Sequence, residues 1–439
     1  MRVFFKTLGC KVNAFDSHAL HTQLQAKGFH ACESWQDAQV LIINSCSVTR
    51  NAEKEALYYA RKFRRALPAC FIAITGCYAQ TDSDFLRRYR DIDFVVPNDR
   101  KPEFVSLLIA RLEQKHQHKL PPDSIAVSSN RQGHFKLAQT LTAVNMSTAT
   151  RKYVKVQDGC NGFCSYCIIP YARGASVSVP VAQVLEQITT LVAQGTREII
   201  LTGVHHGDNG DDLADGMDFP ALLEAIFALP NLQRLRISSL EPSELTDALL
   251  AVLERHQDKF CQHFHLPLQS GNDRILKLMR RKYQAHDYRQ RLQATKQAFP
   301  QAMYGADVIC GFPSESVEEH LDTVNYVQAV GLNYLHVFPY SPRPNTAALR
   351  IKEHVAPAVI KTRVQELRQV GACLQRDYYQ RFFNKEVKVL WETKSHHDRG
   401  SSPLMTGYSR NYLRVSAPYR RELIQNESTL TLLPEHCDL

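Results

Sequence analysis

The stretch Asp158-Gly159-Cys160-Asn161-Gly162-Phe163-Cys164-Ser165-Tyr166-Cys167 carries three cysteines in the spacing CxxxCxxC. A four-iron cluster needs four ligands, so one held by Cys160, Cys164 and Cys167 keeps one iron open to a substrate or cofactor. An open iron implies chemistry rather than storage. The same spacing also describes one face of a helix, on which cysteine packs as a small hydrophobe. Gly159, Asn161 and Gly162 speak against a helix, because each weakens one and each suits a loop folded around a cluster. Structural zinc sites present paired CxxC or Cys/His knuckles with four ligands, and no fourth partner lies nearby in the sequence.

Three further cysteines, Cys10, Cys46 and Cys77, each end a short apolar, β-branched run: Arg2 to Gly9, Val40 to Ser45 and Phe71 to Gly76. Such runs predict strands, and the stretches between them predict helices, giving successive βαβ units and a parallel sheet. Asp16 or Ser17 is the expected cap of the first helix, with Leu20 and Leu24 on its buried face and Gly28 beyond its end. In an open α/β sheet the strand C-termini share one edge, so these thiols can converge despite their separation. That suits a second three-cysteine cluster. Cys32, Cys70, Cys261, Cys310, Cys373 and Cys437 read instead as buried structural residues. With Cys10 too early to follow a secretory leader, 12 cysteines predict a reducing, cytoplasmic setting rather than disulfides.

The CxxxCxxC motif with an aromatic residue before the third cysteine resembles the signature of the radical S-adenosylmethionine (SAM) superfamily. That resemblance implies that the open iron chelates SAM and that one electron from the reduced cluster releases a deoxyadenosyl radical. A narrower likeness spans essentially the whole chain. Thr7 to Asn13 (TLGCKVN), Asn44 to Thr49 (NSCSVT), Thr75 to Cys77 (TGC), Gln157 to Gly174 (QDGCNGFCSYCIIPYARG), Arg236 to Pro242 (RISSLEP), His265 to Gly271 (HLPLQSG), Asp307 to Pro313 (DVICGFP) and His336 to Pro344 (HVFPYSPRP) are similar to the methylthiotransferases. The opening TLGCKVN is most similar to the tRNA branch acting on N6-threonylcarbamoyladenosine. The isopentenyladenosine branch usually has Gln-Met in place of Lys11-Val12, and the ribosomal-protein branch a Pro-Lys variant. What the family implies is two 4Fe-4S clusters, one on Cys10, Cys46 and Cys77 and one on Cys160, Cys164 and Cys167, together with SAM in two roles. One SAM donates methyl to sulfur at the auxiliary cluster, and another supplies the radical that abstracts hydrogen from adenine carbon 2. No catalytic residue is assigned beyond the cluster ligands. An electron donor is implied, and its identity is left open.

These groups must be positioned by an α/β fold. The expected organisation is an N-terminal parallel α/β domain over residues 1–114, a linker or excursion over 115–146, a barrel over 147–375, and a small C-terminal domain over 376–439. In the barrel region six strand candidates alternate with helical segments: Tyr153 to Val156, Glu198 to Leu201, Leu235 to Ser238, Phe264 to Leu268, Gly305 to Ile309 and Tyr334 to Phe338. The resemblance implies that they form a central partial (β/α)6 radical SAM barrel, closed by a helix within Val355 to Val370. Strand C-terminal ends carry reactive groups in such barrels. Gly203, Ser238, Ser239, Gln269, Gly271, Asp307 and Gly311 lie there and are the expected SAM surface, since glycine permits close approach and the polar side chains can bond ribose and carboxylate. Beyond it, Glu386 to Glu392, Gly407 to Val415 and Leu430 to Leu433 read as strands of a small β-barrel. This tail resembles the RNA-binding TRAM module, with Tyr408, Arg410, Asn411, Tyr412 and Arg414 as expected RNA contacts.

The 439 residues carry a formal charge of +9, which favours a polyanionic partner, and the family resemblance makes that partner a tRNA anticodon stem-loop. Arg61-Lys62-Phe63-Arg64-Arg65 and Arg280-Arg281-Lys282-Tyr283 place cations beside aromatics, a pattern that grips phosphate and stacks on bases, although any such run taken singly also reads as a solvated helix face. No apolar stretch reaches the about 18 to 20 residues of a membrane helix, so no membrane partner is expected. Three competing classes stand beside this reading: a ribosomal-protein methylthiotransferase, a radical SAM enzyme of another reaction, and a noncatalytic iron-sulfur RNA binder. Two histidines at His205-His206 stand where relatives usually have small or amide side chains, and Ser314 stands where glycine is usual.

Overall fold

The computed structural model describes residues 1–116, 150–214, 216–396 and 403–437. The expected linker, from residue 117 onward, lies outside these described residues. The chain divides into two compact units. Among the described residues, the first holds 1–116, 155–183 and 341–349, and the second holds 150–154, 184–340 and 350–437.

The first unit is built on a five-stranded sheet of strands β1 (Arg2–Thr7), β2 (His30–Ala31), β3 (Val40–Ser45), β4 (Phe71–Gly76) and β5 (Phe94–Val95), in the order β2-β1-β3-β4-β5. All of its pairings are parallel. Every residue of β3 and β4 is buried, which is why these strands read as unbroken apolar runs: a parallel sheet is covered on both faces. The helices α1 (Lys11–Ala26), α2 (Arg50–Ala66) and α3 (Cys77–Thr81) follow β1, β3 and β4. Leu20 and Leu24 are buried on α1, and Gly28 takes a positive φ just past its end, as expected. The cap expectation is corrected: Cys10 is the residue before α1, and Asp16 and Ser17 sit in its interior, both buried. Helix α2 is capped by Thr49, whose Oγ1 accepts from the Ala52 amide at 3.2 Å.

In the second unit, β6 (Arg151–Lys155) is the outer strand of a three-stranded sheet. The chain next forms a short antiparallel pair, β7 (Gln157–Asp158) with β8 (Val177–Ser178), in the first unit. It then returns to β9 (Glu198–Thr202) and β10 (Arg234–Ile237), completing the order β10-β9-β6. A second sheet holds β11 (His263–His265), β12 (Met303–Cys310) and β13 (Tyr334–Pro339), with parallel pairings. Bridges Leu235–Phe260 and Ser239–His265 connect the two sheets, so six strands follow one another in chain order as an arc. Each of the six strand candidates overlaps one of these strands. The helix Pro357–Gln380 packs on the last strand.

The tail is a four-stranded antiparallel sheet of β14 (Glu386–His396), β15 (Leu404–Ser409), β16 (Arg414–Pro418) and β17 (Glu427–Thr431), in the order β16-β15-β14-β17. The single strand expected over Gly407 to Val415 is corrected to two strands joined by a turn at Ser409–Tyr412. Trp391, Val389, Met405, Leu413 and Leu432 fill its core against Met303, Tyr378 and Tyr379. Of the six cysteines expected to be buried, Cys70, Cys261 and Cys310 are; Cys32 and Cys437 are half-buried, and Cys373 is exposed on its helix, a correction. No described helix is long and apolar enough to cross a membrane.

Candidate metal centres and cofactor surface

The sheet brings the strand-end cysteines to one edge. Thr7 pairs with Asn44 and Ser45 with Gly76, so Cys10, Cys46 and Cys77 leave adjacent parallel strands at matching heights. Asn13 ties the ends together, its Nδ2 donating to the Leu8 carbonyl at 2.8 Å and the Ser45 carbonyl at 2.9 Å. Gly9 lies at φ +92, and a β-carbon there would stand 2.9 Å from Cys46 Sγ, so only glycine lets β1 end this close to the thiol. Cys10 is exposed, while Cys46 and Cys77 are buried. Burial, reinforced by the neighbouring Cys77, pushes the Cys46 thiol up to about 12. Burial also raises Cys77, with Arg173 opposing it. A thiol this reluctant to ionise alone gives up its proton when a metal cation takes its place.

An iron-sulfur cluster fits this donor set. Ser47 Oγ, Thr75 Oγ1, Asn98 Oδ1 and Arg173 Nε are buried with no partner among the described residues. Ser47 follows Cys46, Thr75 precedes Cys77 by two positions, and Asn98 Nδ2 donates to Cys77 Sγ at 3.7 Å. A buried polar atom left unpaired costs about 1–3 kcal/mol. Two of them belong to Asn98 and Arg173, which both act on Cys77, so the strand-end thiols adjoin polar groups left for a further partner.

Cys160, Cys164 and Cys167 lie in the loop between β7 and β8, in the same unit. The helical alternative for their spacing is excluded, since the described backbone from Gly159 to Cys167 holds no helix. Gly159 has φ +73, and a β-carbon there would stand 2.0 Å from the Ala175 carbonyl, so the loop closes on bare backbone. The Cys160 amide donates to the Gly174 carbonyl at 3.1 Å, and Gln157 Nε2 donates to the Gly159 carbonyl and to Ser176 Oγ. The Gly162 amide donates to Cys160 Sγ at 3.2 Å, an N–H to sulfur bond of the kind that tunes cluster potentials.

A network that spacing did not foretell joins the two triads. Arg173 Nη1 donates to Asp158 Oδ1 at 2.7 Å, and its Nη2 donates to Asn13 Oδ1 at 2.6 Å and Asp16 Oδ2 at 3.1 Å. Lys101 and Lys155 each donate to Asp16 at 2.9 Å, and Lys155 also donates to Asp158 at 2.8 Å. Burial alone would raise both carboxyls, but the surrounding cations outweigh it and hold Asp16 and Asp158 below the usual range.

The seven expected SAM-surface residues all fall in the second unit. Ser238 and Ser239 follow β10, and Ser239 bridges to His265. Gln269 holds φ +69, and its carbonyl accepts from Ile309. Gly203 follows β9 in the loop that carries His205, which pairs with Asp208 at 3.3 Å and Glu244 at 3.1 Å. Two of the glycines abut protein side chains: Gly271 packs on Tyr326 and donates to Thr323 Oγ1, and Gly311 packs on Ile360 and donates to Glu315. Asp307 is bonded to His265 Nε2 at 3.0 Å and His336 Nδ1 at 3.2 Å, while Tyr334 OH bonds His265 Nδ1 at 2.8 Å and His263 Nε2 at 2.9 Å. Burial opposes the charge of Asp307, but the two imidazoles prevail and hold its carboxyl well below the usual range. These three histidines were not singled out by sequence reasoning; their signal was position alone, on β11 and β13 beside Asp307.

Four of the five expected RNA contacts meet partners within the second unit. Tyr412 stacks on His263 with centroids 3.9 Å apart and lies under Arg236; Tyr408 lies under Arg151 at 4.1 Å. Arg410 pairs with Glu427 at 3.1 Å, and Asn411 Nδ2 donates to Tyr378 OH at 3.0 Å. Arg414 is exposed. On α2, Tyr58, Arg61, Lys62 and Arg65 line one open surface groove. In the other basic run Arg280 and Lys282 are exposed, whereas Arg281 pairs with Glu241 and Tyr283 is buried.

Residues 2–97 match Uncharacterized protein family UPF0004, and residues 154–327 match the Radical SAM superfamily. The threonylcarbamoyladenosine tRNA methylthiotransferase MtaB of Bacillus subtilis (strain 168) is 34% identical over 413 residues, spanning 94% of this chain and 89% of that protein. The tRNA-2-methylthio-N(6)-dimethylallyladenosine synthase of Acetivibrio thermocellus is 30% identical over 410 residues, 92% of this chain and 82% of that protein. The solved radical S-adenosylmethionine methyltransferase TsrM from Kitasatospora setae, with cobalamin and 4Fe-4S cluster bound, shares the fold with a TM-score of 0.56 at 15% identity, over 78% of this chain and 76% of that one. The fold and the cysteine loop thus define a radical SAM enzyme, a class that uses a 4Fe-4S cluster and SAM. Within that class the chain belongs to the methylthiotransferase family.

Proposed function

We propose that this enzyme converts N6-threonylcarbamoyladenosine beside the anticodon of tRNA to its 2-methylthio derivative, using two 4Fe-4S clusters. The observation that carries the reading is the presence of both cysteine triads in one compact unit, connected through Arg173. The opening TLGCKVN, together with the likeness to the Bacillus subtilis MtaB protein at 34% identity, supports the threonylcarbamoyl substrate over the isopentenyl one. The basic groove on α2 and the exposed Arg280, Lys282 and Arg414 suit a tRNA backbone. The C-terminal antiparallel sheet serves as a TRAM-like module, and the protein works in the cytoplasm with an electron donor.

When bound, the clusters and SAM supply the one-electron cleavage and the sulfur; the chain supplies binding and orientation. Cys160, Cys164 and Cys167 hold the radical-generating cluster, with the Gly162 amide donating to Cys160. Cys10, Cys46 and Cys77 hold the sulfur-bearing one, with Asn98 donating to Cys77. Ser238, Ser239, Gln269 and Asp307 present polar groups at the strand ends, and Asp307 is kept ionised by His265 and His336. A primary radical must meet its target before solvent does, so excluding water from the reacting groups is part of the task.

The test is nucleoside mass spectrometry after anaerobic incubation of reduced enzyme and SAM with threonylcarbamoylated tRNA, isopentenylated tRNA, unmodified tRNA and ribosomal protein. A methylthio mass increase confined to threonylcarbamoyladenosine is expected. Product on ribosomal protein alone, or on isopentenyladenosine alone, overturns the substrate assignment.

A further inference from the structure

Asp16, Lys101, Lys155, Asp158 and Arg173 are each at most 4% exposed and form one connected set of ion pairs. Three are cations and two are carboxylates. Taking a charge out of water without a counter-charge is expensive, so a buried set with one surplus positive charge is built to meet an anion. Arg173 shows where. Two of its nitrogens are spent on Asp158, Asn13 and Asp16, while Nε, also buried, has no partner among the described residues. After Asp158, its strongest electrostatic neighbours include Cys77 and Cys10 of the strand-end triad. Asn13, which Arg173 holds by its amide oxygen, in turn anchors the Leu8 carbonyl, two residues before Cys10, and the Ser45 carbonyl, next to Cys46.

We propose that Arg173 is a positioning residue for the strand-end cluster: its guanidinium charge offsets the negative charge of that cluster and retains beside it the anionic sulfur species, a hydrosulfide or a thiolate, that is destined for the substrate. This rests on the two-cluster reading above. A guanidinium already fixed by three acceptors presents its Nε–H without further loss of freedom, and a dry site strengthens the attraction.

The experiment uses the full chain with Cys160, Cys164 and Cys167 replaced by alanine and reconstituted anaerobically, so that only the strand-end cluster is read. In that background, Arg173→Gln and Arg173→Lys are compared with the parent by iron content, by redox titration followed by electron paramagnetic resonance, and by the spectral response to added hydrosulfide. Arg173→Gln should bind hydrosulfide at least tenfold more weakly and make reduction at least tenfold less favourable, a shift of about 59 mV to lower potential for one electron. Arg173→Lys, which keeps the charge, should recover most of both. Iron lost from Arg173→Gln but kept by Arg173→Lys supports the same role. Unchanged potential and hydrosulfide affinity in Arg173→Gln with four irons bound, or equal loss of iron from both variants, overturns the proposal. A parent that holds no iron overturns the two-cluster reading itself, and the proposal with it.

Discussion

Glu198 lies fully buried between two arginines, with Arg236 Nε at 2.8 Å and Arg234 at 2.7 Å. Burial opposes its charge, yet Arg236 and Arg234 outweigh burial and lower its carboxyl to about 2. A depressed folded-state value means that the stabilisation is present above the unfolded value, about 4.3, and drains away as pH falls toward 2. Glu198→Gln should therefore destabilise the second unit by about 3–5 kcal/mol at neutral pH, since it leaves two buried cations short of a partner. Chemical denaturation at pH 7 and at pH 3 checks this, with the gap between parent and variant narrowing at the lower pH. The cysteines divide differently. Alanine at Cys160, Cys164 and Cys167 should abolish SAM cleavage, whereas alanine at Cys10, Cys46 and Cys77 should spare cleavage and abolish sulfur insertion. Methylthiolated product from the second triple variant would refute the auxiliary-cluster role. Where these six cysteines sit in the fold was legible in the sequence, because each strand-end cysteine directly follows an apolar run and the other three share one short loop. Asp16 and Arg173 were not legible as partners. Their contact joins residues on opposite sides of β6, and an aspartate within a helix reads as a cap or a surface residue until packing places cations around it.

At the scale of elements, Ser314 stands at φ +68 just beyond β12, a region in which a side chain is strained. Ser314→Gly should stabilise the second unit by about 1 kcal/mol, or about 2–4 °C in melting temperature, read by calorimetry on anaerobic protein. The opposite case is Gly159→Ala, where the new methyl group would meet the Ala175 carbonyl at 2.0 Å. It should open the β7–β8 loop and lose the iron held there while the strand-end iron stays, as iron counts in the two triple-alanine backgrounds would reveal. The tail shows where sequence reasoning lost the register. Ser409–Tyr412 turns the chain with Tyr412 at φ +69, and without glycine at that position the hairpin merged with its flanking strands into one expected run. Strands β3 and β4 were transparent because full burial leaves an uninterrupted apolar run, the pattern a covered parallel sheet demands.

Across the whole molecule, a net charge of +9 predicts salt-dependent binding of tRNA. Replacing Arg61, Lys62 and Arg65 by alanine should weaken binding and make the plot of log affinity against log salt shallower by about 2, the share expected if each contacts a phosphate. An unchanged slope in filter binding would remove α2 from the interface. The basic character was visible in composition, but which cations remain exposed was not: Arg64 is paired with Asp93 at 2.5 Å and Arg281 with Glu241, and such pairs form only once distant segments meet.

The first unit is discontinuous, since residues 341–349 rejoin it after most of the second unit has been traced, and Arg343 there pairs with Glu53 of α2. A chain emerging from the ribosome can align β1, β3 and β4, and with them the thiols at 10, 46 and 77, early in synthesis. The latch that finishes the same unit arrives only after all six strands of the arc have been made. Nascent protein therefore passes through a stage in which the thiols at the ends of β1, β3 and β4 are aligned while the segment that pairs Arg343 with Glu53 has yet to be made.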